Sequence, residues 1–127
     1  MSLRKVPPGF PMQVLCFNHD AQITTTATIF DFLAPQDMTI VGLHATGTFD
    51  RTTGDETYVL SVEDATVKVS TNGAAIASPT GQKAIECTFG DGGHHVDAGD
   101  RIEIILTNGG TTPTVDGFTA FLQVLWD

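Results

Sequence analysis

Two stretches near the end of the chain decide its fold class: DRIEIILTNGG at residues 100–110 and VDGFTAFLQVLW at residues 115–126. In the first stretch, three apolar residues, Ile102, Ile104 and Leu106, occupy every second position. The positions between and beside them are Arg101, Glu103, Ile105 and Thr107. Side chains that alternate with a period of two residues are typical of a β-strand with one face in a core. The Asn-Gly-Gly sequence between the two stretches is typical of a turn. The end of the chain therefore predicts two successive strands.

Similar short runs, rich in Thr, Val, Ile and Phe, recur along the rest of the chain and are separated by turn residues. No stretch has apolar residues at helical spacing. Runs 57–62 and 66–71 predict a hairpin, and Gly42 and Gly47 predict bulges or close packing. Eight strands is the count of a jelly roll. We predict an all-β, single, jelly-roll-like antiparallel β-sandwich of about eight strands at residues 12–17, 23–33, 38–49, 57–62, 66–71, 82–89, 101–107 and 117–126.

The domain organisation follows from proline. Residues 1–11, MSLRKVPPGFP, contain three prolines and a glycine, which predict an extended N-terminal arm. We predict that residues 12–127 form one sandwich domain, which is large enough to fold without disulfides or structural metal ions. The sequence shows no signal peptide and no apolar run long enough for a membrane span, so we expect synthesis in a host cytoplasm and no membrane partner.

The charge balance constrains the partners. The chain has 15 acidic and 6 basic residues, a net charge of −9, which disfavours nucleic acid as a partner. Arg4 and Lys5 make the arm slightly basic, so it either rests on an acidic partner or is a frayed terminus. Cys16 and Cys87 lie in apolar runs, and we expect two buried free thiols; a disulfide requires that their strands be neighbours.

The most reactive stretch is GDGGHHVD at residues 90–97. His94 and His95 have three aspartates nearby and offer nitrogen and oxygen donors for a divalent metal. Adjacent residues on extended backbone point to opposite sides, however. We therefore predict a polar surface loop with no metal and no cofactor, with a pH-responsive contact between subunits as an alternative. The aspartates are Asp91, Asp97 and Asp100.

The other polar motifs do not predict an enzyme. The acidic stretch 50–56 offers oxygen ligands for calcium, but its spacing fits a solvated hairpin connection better. No serine lies in a nucleophile elbow, and no glycine-rich loop has the residues that bind phosphate. Asp31 is the carboxylate in the most apolar setting, and strand alternation turns it away from Phe30 and Phe32.

Both faces of the last strand are apolar. Phe118, Leu122 and Trp126 lie on one face, while Phe121 and Leu125 lie on the other. A sandwich strand buries only one face within its own domain, so the second face predicts contact with another subunit or a covering loop. The residues that we predict to bind partners are Arg4, Lys5, Phe10, Phe121, Leu125 and Trp126.

The sequence VDAGDRIEIILTNGG at residues 96–110, with the last strand, resembles the closing strands of complement/tumour-necrosis-factor-like jelly rolls. The stretch ITTTATIFDFLAPQDMTIVGL at residues 23–43 also looks like small phage structural proteins of jelly-roll type. The resemblance implies a sandwich that packs as a homotrimer about aromatic and aliphatic side chains. The chain is shorter than most members and lacks their aromatic-rich central motif, so no binding residue is carried over.

Together these features predict a non-enzymatic structural protein of a virus particle. The leading hypothesis is a bacteriophage capsid decoration (cement) protein, a trimer on the virion surface that contacts the major capsid protein or another virion component. The alternative is a receptor- or glycan-binding head of a tail fibre, with loops 50–56, 72–81 and 90–99 making the contacts. A small sandwich enzyme or cupin-like metal protein is a third class, and the chain lacks the clustered histidines that such sites use.

Overall fold

Nine β-strands form the regular structure of the computed structural model, which describes residues 12–50, 52–71 and 81–127. This part of the chain contains no helix with the length and hydropathy needed to cross a bilayer. The predicted arm, residues 1–11 with Arg4, Lys5 and Phe10, and most of loop 72–81 lie outside the described residues. The strands are β1 (Met12–His19), β2 (Ala27–Leu33), β3 (Met38–Asp50), β4 (Thr57–Asp64), β5 (Val67–Thr71), β6 (Gly81–Cys87), β7 (His94–Val96), β8 (Arg101–Gly109) and β9 (Thr114–Trp126).

The strand order is that of a jelly roll. Sheet 1 has the order β1-β9-β3-β6, with β7 also pairing with β3, and sheet 2 has the order β2-β8-β4-β5. The chain is a long hairpin rolled up on itself: β1 pairs with β9, β2 with β8, β3 with β6, and β4 with β5, all antiparallel. The predicted fold class is therefore confirmed. Strand β7 is a short addition inside the loop predicted at residues 90–100.

The core lies between the two sheets and follows the alternation of the sequence. Ile102, Ile104 and Leu106 of β8 are fully buried, and Phe118 and Leu122 of β9 face them from sheet 1 with at most 1% exposure. Because these side chains recur every second residue, one face of each strand leaves water while the other stays at the surface. This burial is the main stabilising contribution of the domain.

The pairing of β3 with β9 is irregular beside both predicted glycines, with the extra residue on β3 at the first place and on β9 at the second. The register of β3 against β9 shifts between Ile40 and Gly42, and again between Thr46 and Thr48 around Gly47. A Cβ atom on Gly42 would lie 2.6 Å from the Gln123 Oε1 atom. Glycine at this position therefore lets the Gln123 side chain cross directly over the β3 backbone.

Strand β2 begins later than predicted. Residues 23–33 were expected to form one strand, but β2 starts at Ala27, and Ile23 makes an isolated bridge to Val115. The Thr26 hydroxyl donates a hydrogen bond to the Asn108 carbonyl at 3.0 Å and accepts one from the Asn108 N–H at 2.9 Å. A side chain thus replaces the backbone ladder at this point, which ends the strand pairing.

The predicted hairpin is formed by β4 and β5. Its two connecting residues, Ala65 and Thr66, have φ angles of 49° and 74°. A two-residue connection with positive φ at both positions matches the right-handed twist of the strands, and glycine or asparagine usually fills it. Alanine and a β-branched threonine are strained in this conformation.

Candidate functional site

The outward surface of sheet 1 is apolar at its centre. We define the outer face as Met12, Val14, Cys16, His44, Phe121, Gln123 and Leu125. The strand register places Phe121 of β9 opposite both Cys16 and His44, and Leu125 opposite Met12. Directly opposed residues share a face of the sheet. Met12 and Val14 are 51% and 49% exposed, so the outer face presents uncovered apolar area.

Phe121 is at the middle of the outer face. Its ring stacks on the His44 imidazole with centroids 5.0 Å apart and planes at 23°. Next to this pair, a shallow cavity of about 290 Å³ is lined by His44, Gln123, Glu86 and Cys87 among others. Aromatic rings that are half-buried beside a concave surface are typical anchors of protein–protein contacts.

The other two predicted contact residues of β9 lie in different surroundings. Leu125 shares the outer face with Phe121, as alternation predicted, but is only 3% exposed. Trp126 lies on the inner side, where it packs against the core and donates a hydrogen bond from Nε1 to Gln13. Phe121 is therefore the aromatic residue of β9 that lies on the outward side of sheet 1 and is partly exposed there.

The outward surface of sheet 2 is charged and contrasts with the outer face of sheet 1. Asp31 pairs opposite Glu103, Glu103 opposite Glu63, and Glu63 opposite Lys68, so one row of charge crosses all four strands. Arg101 Nε donates to Asp31 Oδ2 at 2.9 Å, and burial of Asp31 against Phe30 or Phe32 does not occur, as predicted. The seven residues of the outer face include no Asp, Glu, Lys or Arg, and the nearest carboxylate on this side is exposed Glu86 of β6, which lies opposite His44. The two sides of the sandwich thus differ in charge.

The two cysteines also differ in exposure. Cys87 is fully buried, and its Sγ atom donates to the Leu60 carbonyl of the opposite sheet at 3.3 Å. Burial raises the pKa of the Cys87 thiol to about 12. Cys16 is exposed on β1, so the expectation of two buried thiols is confirmed for Cys87 and wrong for Cys16. The reason is the face on which each side chain lies: Cys16 is opposite Phe121 on the outward side of sheet 1, whereas Cys87 is opposite Leu43 on the core side.

His94 connects the two sheets. Its Nε2 atom lies 2.7 Å from Oδ2 of Asp64, at the end of β4, and the pair is partly buried. Burial raises the pKa of Asp64; the hydrogen bond to His94 opposes this, and the neighbouring Asp100 carboxyl adds to it. His94 therefore makes a polar link between β7 and β4, within one chain.

His95 points the opposite way, as the extended backbone predicts. Its two ring nitrogens lie 3.1 Å from Asp97 Oδ1 and 3.2 Å from Asp127 Oδ2. Donor atoms of Asp37, His95 and Asp97 approach within 4.8 Å of one another, and all three side chains are exposed. Asp37 also accepts a hydrogen bond from the Ala98 N–H at 2.9 Å. Hydrogen bonds between these groups account for the cluster, and His94 takes no part in it.

The acidic stretch 50–56 is not the hairpin connection that was predicted, because it joins β3 of sheet 1 to β4 of sheet 2. Its Glu56 is fully buried and accepts hydrogen bonds from Thr53 N–H at 3.0 Å and Asp55 N–H at 3.1 Å. Hydrogen bonds from Thr111 hold the pKa of Asp55 well below its usual range; the bond from the Thr111 side chain has the largest effect, and the bond from its backbone N–H has the next largest. Threonine and backbone donors thus satisfy these carboxylates.

Tyr58 links this crossing to the core, and sequence reasoning missed its role. Its hydroxyl donates to the Asp50 carbonyl and accepts from the Thr114 N–H at 2.9 Å. Its ring meets Phe49 edge-on with centroids 5.0 Å apart. Asp50 and Thr114 are the last pair of the β3–β9 ladder, so the hydroxyl joins β4 to the end of sheet 1.

Comparisons with known proteins add little to this description. No protein-family model matches the sequence, and no curated protein matches it. A chain from the structure of infectious bursal disease virus, Gx strain, is similar at a TM-score of 0.44 with 14% sequence identity. The likeness covers 99% of this chain and 38% of that chain, so this chain spans well under half the length of its neighbour. The strand order of the chain itself defines the class: a jelly-roll β-sandwich, in which β1 and residues 119–125 of β9 form an uncharged outward strip and sheet 2 presents a row of charge.

Proposed function

We propose that the chain is a non-enzymatic structural protein of a virus particle, and specifically a bacteriophage capsid decoration protein. It assembles as a homotrimer through the outer face and binds the particle surface, in contact with the major capsid protein or another virion component. The observation that carries the proposal is the difference between the two outward surfaces: on sheet 1, β1 and residues 119–125 of β9 present apolar residues and no charged side chain, while sheet 2 presents a row of charge.

Charge explains why association would use the outer face. Copies with a net charge of −9 repel one another over most of their surface. A contact through Phe121 and the adjoining residues of β1 meets no carboxylate on β1 or on residues 119–125 of β9, and Glu86 of β6 lies at its rim; the contact removes exposed apolar area from water. The trimer is the assembly that the resemblance of residues 96–126 implies. A threefold contact of this kind stabilises a particle mechanically, by adding buried area between capsid subunits.

Two measurements on the full chain test the proposal. Light scattering gives the mass in solution, and we expect three chains. Co-sedimentation with purified heads that lack the protein, from the virus that encodes it, should show saturable binding. Deletion of residues 1–11 should abolish this binding while leaving the sandwich folded, as checked by circular dichroism.

The outcomes separate the proposed function from its alternative. Unchanged binding by the deleted chain would count against the arm contact, and absence of binding by the full chain would count against decoration. Retention on a glycan array or on host cells, without binding to heads, would instead support a receptor-binding head at the tail. The three outcomes use the same purified protein.

A further inference from the structure

The free edge of β1 differs from the other sheet edges among the described strands. β1 pairs with β9 on one side only, over eight residues from Met12 to His19 in continuous register. It carries no Asp, Glu, Lys or Arg and no proline. An edge strand with these properties presents unpaired backbone N–H and C=O groups as a template for another strand.

The remaining edges are protected in the ways that natural sheets use. Strand β6 carries Lys83 and Glu86. Strand β2 carries Asp31 and has a register shift between Thr28 and Phe30. Strand β5 has five residues and carries Lys68. Only β1, of these four edges, is long, regular and uncharged.

The geometry points to β1 as a pairing edge for the β1 strand of a second copy of this chain, antiparallel and about a twofold axis. A twofold contact brings each side chain close to its own copy, so a charged edge would repel itself and β1 does not. With the axis perpendicular to the sheet, Met12, Val14 and Cys16 meet outward-facing residues of the partner. The pairing therefore joins two five-stranded sheets, and with them two outer faces, into one continuous ten-stranded sheet.

This contact adjoins the proposed trimer contact, which centres on Phe121: it uses the backbone edge of β1, and the side chains of Met12, Val14 and Cys16 border both contacts. In a particle, twofold pairing of β1 strands would connect one threefold cluster to the next. The same two kinds of symmetry axis close most virus shells and symmetric assemblies built from one subunit. Edge pairing thus supplies a lateral link between decoration units.

A lysine substitution on the full chain tests the pairing. We expect Val14→Lys to weaken the twofold association by at least about tenfold, because two lysines enter one pair of strands. Val67→Lys is the matched control: Val67 is 64% exposed on edge strand β5, so the same change there should leave association unaltered. Analytical ultracentrifugation gives the dissociation constants, and circular dichroism checks the fold.

Cys16 provides a second readout because Cys87 is buried. A short bis-maleimide should convert most wild-type chains to a covalent pair, and Val14→Lys should prevent this. If the Cys16 thiols met only at a threefold axis, each linker would join two of the three chains and leave the third without a reactive partner. At most about two thirds of the chains would then be linked. Equal association of Val14→Lys and Val67→Lys, or wild-type linking below that limit, would overturn the edge pairing. Masses in multiples of two but not three would overturn the trimer alone.

Discussion

Replacement of two phenylalanines of the same strand by alanine separates folding from assembly. Phe118 lies on the inner side of β9 and is 1% exposed, whereas Phe121 lies three residues later on the outer face and is half-buried. Phe118→Ala leaves a cavity in a closed core, which costs about 3–5 kcal/mol of unfolding free energy. Phe121→Ala loses about half of a phenylalanine burial and the stacking on His44, together about 1–2 kcal/mol.

The assay uses the single tryptophan of the chain. Trp126 packs against the core, so its fluorescence follows unfolding in urea for both variants and the wild type. Light scattering on the same samples without urea gives the number of associated chains. We expect Phe118→Ala to be strongly destabilised and Phe121→Ala to remain folded as a single chain.

Two results would refute this reasoning. Equal destabilisation by the two substitutions would mean that Phe121 is a core residue and that the outer face is covered within one chain. A folded Phe121→Ala variant that keeps the wild-type mass would mean that assembly does not use Phe121. The first result concerns the fold and the second concerns the proposed contact, so they can be told apart.

Three further changes probe the connections around the core. Thr66→Gly removes the strain of a β-branched residue at φ 74° and should stabilise the chain by about 1 kcal/mol, seen as a higher urea midpoint. Tyr58→Phe leaves the buried Thr114 N–H without its acceptor and should cost about 2 kcal/mol in the same measurement. Because the pKa of the Cys87 thiol is raised in the folded chain, the thiol of the unfolded chain loses its proton at a lower pH than the thiol of the folded chain. The stability of the wild type should therefore fall as pH rises from about 9 towards about 12. Cys87→Ala should lower stability at neutral pH and reduce that alkaline slope by up to about 1.4 kcal/mol per pH unit.

Each of these expectations has a contradicting outcome. A lower urea midpoint for Thr66→Gly would show that the turn is not strained. Unchanged stability of Tyr58→Phe would show that water replaces the hydroxyl at Thr114. Parallel stability curves of Cys87→Ala and the wild type above about pH 9 would show that the thiol is accessible to solvent in the folded chain.

The sequence was sufficient for features that depend on neighbours along the chain. Alternation placed Ile102, Ile104 and Leu106 in the core, and it placed Phe121 and Phe118 on different faces of the same strand. The reason is that successive side chains of a strand point to alternate sides of the sheet. The bulge glycines and the β4–β5 hairpin were also local patterns. Contiguous residues carry all of this information.

Features that depend on which strands meet in space could not be read in this way. Cys16 and Cys87 occur in similar apolar runs and both lie on edge strands of sheet 1, yet Cys16 is opposite Phe121 on the outward side and Cys87 is opposite Leu43 on the core side. Glu56 looked like a solvated acid because its burial depends on the crossing between two sheets. Burial of a charged group requires donors that only the folded chain assembles, in this case Thr53 and its neighbours.

The same distinction applies to the proposed assembly face: alternation predicts its β9 half, Phe121 and Leu125, and only the strand order adds its β1 half. A run such as MQVLCFNH in β1 is apolar enough to be a buried strand, and β9 is apolar on both sides. Once the strand order places β1 beside β9, their outward residues join into one neutral surface, while Asp31, Glu103 and Glu63 line up on the other side of the sandwich. A chain with a net charge of −9 can bring copies together at low electrostatic cost only where such a neutral surface exists. Rolling the hairpin into two sheets therefore leaves β1 and residues 119–125 of β9 as an uncharged outward strip, and this strip is where we propose that copies associate.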